Sequence, residues 1–218
     1  MNKIPLELVI NADQTGVSYL GTGARTWELK GSSQVSAVGQ GKKRQFTLMV
    51  AATAAGKLLL FQAIYKGKTS NSLPSKAARN TCEHAQFLFT PGGEKHWSNL
   101  ETMKVWVNKC LVKHVNSKRL RLGLLLLQKV ILILDCWAVH QGSPFETWMR
   151  QTHPTIIILF VLGNCTCVAQ PCDTRINQIL KHLIKSACIE YLAELTQEQL
   201  RNGVAPADVV INTQPGTL

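Results

Sequence analysis

Three aspartates are the residues of this chain best placed to do chemistry. Asp13 closes the apolar segment Leu8-Val9-Ile10-Asn11-Ala12, Asp135 closes Val130-Ile131-Leu132-Ile133-Leu134, and Asp173 follows the apolar run Ile156 to Leu162 and opens an amphipathic stretch reaching Lys185. An acidic group at the end of a buried strand is costly unless something positive meets it. Three of them in a chain this basic suggest one carboxylate cluster that holds divalent metal ions through oxygen ligands. The alternative is that each is a helix cap or a loop solubiliser. That reading suits Asp173, which begins a helix where Asp caps well, better than Asp13 and Asp135.

A second set of residues could meet an anion. His140 follows Asp135 by five positions, Lys42, Lys43 and Arg44 form a basic cluster, and Lys181 and Lys185 sit four apart on the last helical stretch. Lys113, Lys118, Arg119 and Arg121 make a further basic group. Such side chains can track a phosphate backbone, although any one of them alone is a solvated charge. Trp97 and Trp137 could stack on a splayed base, with core packing the expectation for Trp97.

The elements that must position these groups follow from hydrophobic patterning. Leu6 to Ala12 reads as a buried strand, and Gly16 to Gly41 as loop or irregular strand. Gln45 to Ala52 and Lys57 to Tyr65 read as a hairpin turning through Ala54-Ala55-Gly56. Lys66 to Thr81 is polar and reads as loop. Leu100, Met103, Val107 and Leu111 give Asn99 to Val115 a helical period. Val130 to Leu134 and Ile156 to Leu162 are further strands. Asp173 to Leu195 is a helix with Ile176, Ile179, Leu180, Leu183, Ile184 and Ala187 on one face. Strand, hairpin, helix, strand, strand, helix predicts an α/β fold: a mixed sheet flanked by helices, with its carboxylates arranged as in a ribonuclease H-like fold.

Composition narrows the partners. The chain has 218 residues, 45% of them hydrophobic, which suits a folded core. Lys and Arg outnumber Asp and Glu 24 to 13, a formal charge of +11, which argues for nucleic acid as the anionic partner. No secretory signal is visible. The apolar stretch Leu122 to Leu134 is broken by Gln128 and Lys129 and falls short of the roughly 20 apolar residues of a membrane span, so no membrane partner is expected. Seven scattered cysteines point to reduced thiols. Cys165, Cys167 and Cys172 lie close together without the Cys-x-x-Cys or His set that zinc requires. Gly21-Thr22-Gly23 lacks the third glycine of a dinucleotide loop.

The segment Asn11-Ala12-Asp13-Gln14-Thr15-Gly16 resembles the Asn-Ala-Asp-Glu-Thr-Gly motif of the DDE superfamily endonucleases, the catalytic domains of pogo- and mariner-type transposases and their domesticated relatives. Four other segments are similar in the same order: Lys43-Arg44-Gln45-Phe46-Thr47 with Ala54-Ala55-Gly56-Lys57; His96 to Met103; Leu132-Ile133-Leu134-Asp135-Cys136-Trp137-Ala138-Val139-His140; and Gln170-Pro171-Cys172-Asp173. The resemblance spans about Leu8 to Lys185. Asp135 and Asp173 are separated by 38 positions (173 − 135), a plausible spacing for an all-aspartate triad.

The resemblance implies a metal-dependent DNA endonuclease or transposase domain. Asp13, Asp135 and Asp173 would be both catalytic and metal-binding, with Mg²⁺ or Mn²⁺ as cofactor. Lys42, Lys43, Arg44, His140, Lys181 and Lys185 would contact DNA. A nuclear protein, with a homodimer as a further form, follows from the same likeness. Residues 1–200 are expected to form the catalytic domain and 201–218 a flexible tail. The rival expectation is a catalytically silent, domesticated DNA-binding or chromatin protein that keeps the fold. Three departures from the family pattern bear on activity: Gln14 where the family has Glu, Cys136-Trp137 where it has Asn-Ala, and Val161 to Cys167 where it has a proline-rich loop. The helix-turn-helix modules that precede the first Asp in family members have no counterpart in the twelve residues before Asp13.

Overall fold

Strand β1 (Val9–Ser18) has buried residues on both of its faces, a pattern that only a central strand can satisfy. In the computed structural model, which describes residues 3–18, 45–84, 86–136, 143–162, 165 and 170–210, β1 is central. The other strands are β2 (Gln45–Thr53), β3 (Phe61–Tyr65), β4 (Phe87–Pro91), β5 (Val130–Asp135) and β6 (Ile156–Val161). They form one sheet in the order β4-β3-β2-β1-β5-β6. β1–β2 and β2–β3 are antiparallel, and the other neighbours are parallel. This is the mixed, ribonuclease H-like α/β sheet that the order of segments predicts.

Side chains of a strand alternate between faces, so each face acquires its own core. Ile10 and Ala12 of β1, Met49 and Ala51 of β2, and Leu132 and Leu134 of β5 build one face. It is covered by one long helical unit: α2 (Leu100–Trp106), a π-helical turn (Val107–Leu111) and α3 (Val112–Arg121). Met103, Trp106, Val107 and Leu111 are fully buried against it, joined by Phe145 and Met149 of α4 (Ser143–Thr152). Full burial of each such side chain contributes about 1.5–3 kcal/mol. The start of α2 is fixed by reciprocal bonds: Thr102 N–H donates to Asn99 Oδ1 (3.0 Å) and Asn99 N–H to Thr102 Oγ1 (2.8 Å).

On the other face Val17, Leu48, Val50 and Ala63 pack against the last helical unit. That unit is a π-helical turn (Cys172–Ile176) running into α5 (Asn177–Arg201). Only Ile176, Leu180 and Ile184 of the expected apolar stripe pack there. Ile179 and Leu183 are 60% and 59% exposed. They wall an apolar groove of about 760 Å³ with Val9, Phe61 and Ile133, where α5 leaves part of the sheet uncovered.

The structure departs from the sequence reading in several places. Leu6–Leu8 is a 3-10 turn rather than strand, and β1 continues through Gly16 to Ser18, so Asp13 lies inside a strand instead of closing one. The cause is β2, which pairs with β1 from Ile10 to Ser18 and extends it past the aspartate. Part of the expected 66–81 loop is helical, with a 3-10 turn at Ser70–Ser72 and α1 at Lys76–His84. β4 and α4 are additional elements. Trp97, expected in the core, is 47% exposed and packs on His96 with ring centroids 4.7 Å apart.

Candidate functional site

The register of the sheet brings the first two aspartates together. Asn11 pairs with Ile133 as the last rung between β1 and β5. Asp13 and Asp135 each lie two residues further on, so both point to the face that α5 covers. Neighbouring strands run about 4.8 Å apart. Asp13 is buried, 6% exposed, and Asp135 is half-buried.

The third aspartate is delivered by a set of polar ties between β1 and the start of the last helical unit. Asn11 is 6% exposed and works in both directions. Its Oδ1 accepts from the backbone N–H of Cys172 (2.9 Å), and its Nδ2 donates to the carbonyl of Ile133 (3.3 Å). The first N–H groups of a helix have no partner within it, and Asn11 supplies one. Gln170, fully buried, donates Nε2–H to the carbonyl of Ala12 (3.2 Å). The Cys172 thiol donates to the Asn11 carbonyl (3.5 Å). Asn177, 3% exposed, donates Nδ2–H to Asp13 Oδ2 (2.5 Å). Asp173 lies between these anchors, half-buried, in the π-helical turn. Such turns occur often at functional sites.

The electrostatics of Asp13 record this crowding. Its pKa is raised from 3.8 to about 6, chiefly because burial disfavours the carboxylate, and further by the charges of Asp135 and Asp173. Hydrogen bonds from the Gln14 backbone N–H and the Asn177 amide act the other way. Burial, and secondarily Asp13, pushes the Cys172 thiol up to about 12. It stays protonated and is a donor, not a nucleophile.

Asp135 and Asp173 are thus both near enough to Asp13 for their charges to be felt there. Among the described residues, no three His, Cys, Asp or Glu side chains are gathered tightly enough to make a ready metal-binding group. The donor chemistry nevertheless fits a hard divalent cation: carboxylate oxygens from two strands and a helix, with a buried amide carbonyl beside them. Asp13, Asp135 and Asp173 are the residues that could hold one.

The sequence reading assigned no roles to Asn11, Gln170, Cys172 and Asn177. Three of them lie inside the quoted Asn-Ala-Asp and Gln-Pro-Cys-Asp motifs. Asn177 carried one signal, its position one turn after Asp173.

The departures from the family pattern fall as follows. Gln14 points to the opposite face from Asp13, where its Nε2 approaches Met103 Sδ at 3.5 Å, so this substitution does not line the carboxylates. Cys136 is bonded to the Val161 carbonyl (Sγ to O, 2.7 Å) and ties the end of β5 to β6. Lys181 and Lys185 are exposed on α5, four residues apart. Arg119 is buried and structural. Its guanidinium donates to the Gln128 carbonyl and to Thr155 Oγ1 (3.0 Å), tying the α3–β5 connection to the start of β6. Lys118 is 6% exposed, so neither residue is presented to a ligand as the sequence suggested. Lys42, Lys43, Arg44, Trp137 and His140 lie outside the described residues.

Residues 43–208 match the DDE superfamily endonuclease family. No curated protein matches the chain. Among solved structures the chain is similar to the Mos1 transposase paired-end complex with left transposon end, at 11% identity and a TM-score of 0.47, covering 87% of this chain and 47% of that one. It is similar to the Mos1 strand transfer complex at 12% identity and a TM-score of 0.48, covering 87% and 47%. It is also similar to the Mos1 mariner paired end complex with Mn at 11% identity and a TM-score of 0.48, covering 88% and 48%. The chain spans about half the length of these structures.

Proposed function

The chain belongs to the DDE superfamily endonucleases, and we propose on that footing that it is a transposase-derived nuclease domain that cleaves or joins phosphodiester bonds in DNA, using divalent metal ions held by Asp13, Asp135 and Asp173. The observation that carries the reading is Asp13. A carboxylate 6% exposed, whose charge is disfavoured by burial and further by two nearby aspartates, is a candidate for holding a divalent cation.

Mg²⁺ or Mn²⁺ bound there would supply an activated water, or an activated 3′-hydroxyl in joining, and would stabilise the leaving oxygen. The chain's own residues do the positioning. β1 and β5 set Asp13 and Asp135 by their register. Asn11 and Gln170 hold the start of the last helical unit against β1, and with it Asp173. The Asn177 amide fixes the orientation of the Asp13 carboxylate. Lys181 and Lys185, on the exposed side of the helix that carries Asp173, are set to meet phosphates of the same DNA strand. With a formal charge of +11, the rest of the chain supports binding that depends on charge more than on base sequence. A nuclear protein is the location that fits DNA as substrate.

The test is nicking of supercoiled plasmid by the purified chain in Mg²⁺, Mn²⁺ or EDTA, beside Asp135→Ala. Metal-dependent nicking that disappears in the variant is the expected result. Nicking unchanged by Asp135→Ala would overturn the assignment. DNA binding without any nicking would favour the silent DNA-binding protein instead.

A further inference from the structure

Asn177 does more at this site than its bond to Asp13 requires. Its side chain is 3% exposed, and its Nδ2 donates to Asp13 Oδ2 at 2.5 Å. The other atom of the same planar amide, Oδ1, is buried and has no hydrogen-bond partner among the described residues. A buried carbonyl left unpaired costs about 1–3 kcal/mol, so native proteins rarely keep one without a use for it. Because the amide is rigid and its nitrogen sits on the carboxylate, Oδ1 lies within one amide's width of Asp13. It is also one turn along the helical unit from Asp173.

The chemistry of this atom is specific. An amide oxygen is a neutral, hard donor of the kind that Mg²⁺, Mn²⁺ and Ca²⁺ accept beside carboxylates. A neutral ligand suits a place where carboxylates already repel one another, because it adds a donor without adding charge. No side chain of the described residues hydrogen-bonds to it, so the oxygen is available.

We propose that Asn177 supplies its amide oxygen as a further ligand to the divalent cation held by Asp13 and Asp173. The inference rests on the metal-dependent reading above and gives Asn177 a role beyond orienting Asp13. In the cation-free protein the same amide is a brace for Asp13, and one residue then serves both states.

The experiment is Mn²⁺ binding to the purified chain, followed by isothermal titration calorimetry and by the shift of the thermal unfolding midpoint. The proteins compared are wild type, Asn177→Ala, Asn177→Asp and Asp13→Asn. Asn177→Ala is expected to bind Mn²⁺ at least about tenfold more weakly, the low end for residues supporting a metal site. Asn177→Asp keeps the shape and replaces the amide by a carboxylate. It is expected to melt lower than wild type in EDTA, through repulsion of Asp13, and to gain more from Mn²⁺ than wild type does. This variant decides the matter if Asn177→Ala does not fold.

Wild-type Mn²⁺ affinity in Asn177→Ala would overturn the proposal. So would a Mn²⁺-induced midpoint shift in Asn177→Asp no larger than that of wild type. Binding lost in Asp13→Asn but kept in Asn177→Ala would leave the aspartate site standing and reduce Asn177 to a brace. Failure of the wild-type chain to bind Mn²⁺ at all would overturn both.

Discussion

Replacing Asp13 by Asn is predicted to stabilise this protein at neutral pH while abolishing its chemistry. Asp13 has a pKa near 3.8 when exposed and about 6 in the fold. Between these values the folded state binds more protons than the unfolded one, so stability falls as pH rises through this window. Below about pH 4 both states are protonated and the group is silent. Above about pH 6 both are ionised, and the folded state carries the full cost of the buried charge. A gap of about 2.2 at about 1.36 kcal/mol per pH decade is about 3 kcal/mol.

Asparagine at position 13 keeps a carbonyl oxygen for the Asn177 amide and removes the charge. Urea unfolding of wild type and Asp13→Asn in EDTA, from pH 4 to pH 8, measures the difference. It is expected to be near zero at the acid end and to grow to about 3 kcal/mol in favour of the variant by pH 7 to 8. A variant less stable than wild type at pH 7.5, or a difference that does not change with pH, would refute the claim that burial and like charge strain this carboxylate. Mn²⁺ should narrow the gap in wild type by binding the folded state, and should do little in the variant.

Two further outcomes concern Asn11 and the exposed lysines of α5. Asn11→Ala leaves the Ile133 carbonyl and the Cys172 N–H without their partner. At about 1–3 kcal/mol for each of these two orphaned groups, a loss of about 2–6 kcal/mol in urea unfolding is expected. Lys181→Ala and Lys185→Ala should each weaken DNA binding irrespective of sequence and reduce the slope of log affinity against log salt by about 1. An unchanged slope in titrations at several salt concentrations would remove these residues from the interface.

The sheet was legible where a strand is apolar on both faces. Val130 to Leu134 and Ile156 to Leu162 could be read directly because a continuous apolar run bounded by polar residues has few other uses. The same argument placed Asp135 correctly and Asp13 wrongly. Polar Gln14 and Thr15 and the glycine at position 16 look like the end of a strand, but β2 pairs with all three. α4 was readable in principle, since Phe145, Trp148 and Met149 follow a helical period after Pro144. α1, with Lys76, Arg79, Asn80 and Glu83 among its nine residues, offers little apolar signal. β4 ends in Pro91 on the sheet edge, where a missing N–H costs nothing.

The anchors of the site were the least legible. Asn11 and Asn177 have unremarkable local propensities, and their partners stand 161 and 164 positions away. Ile179 and Leu183 look like core because a helical wheel cannot tell how far the opposing sheet extends.

The way α5 is fastened has a consequence for how the protein breathes. Of its 25 residues only Asn177, the first, is fully buried, and the polar ties to β1 all lie at or before that residue. The sheet, by contrast, is complete by Val161. The helix can therefore swing or fray from its far end, or lift away altogether, at a free energy below that of global unfolding. In hydrogen exchange its amides should trade faster than those of β1 and β5. Only an opening that releases the anchored first turn carries Asp173 and Asn177 away from Asp13, and it leaves the strands intact. The carboxylate site is then as durable as one hinge-like turn, and a ligand that bridges Asp13 to this helix acts as the clasp that keeps it shut.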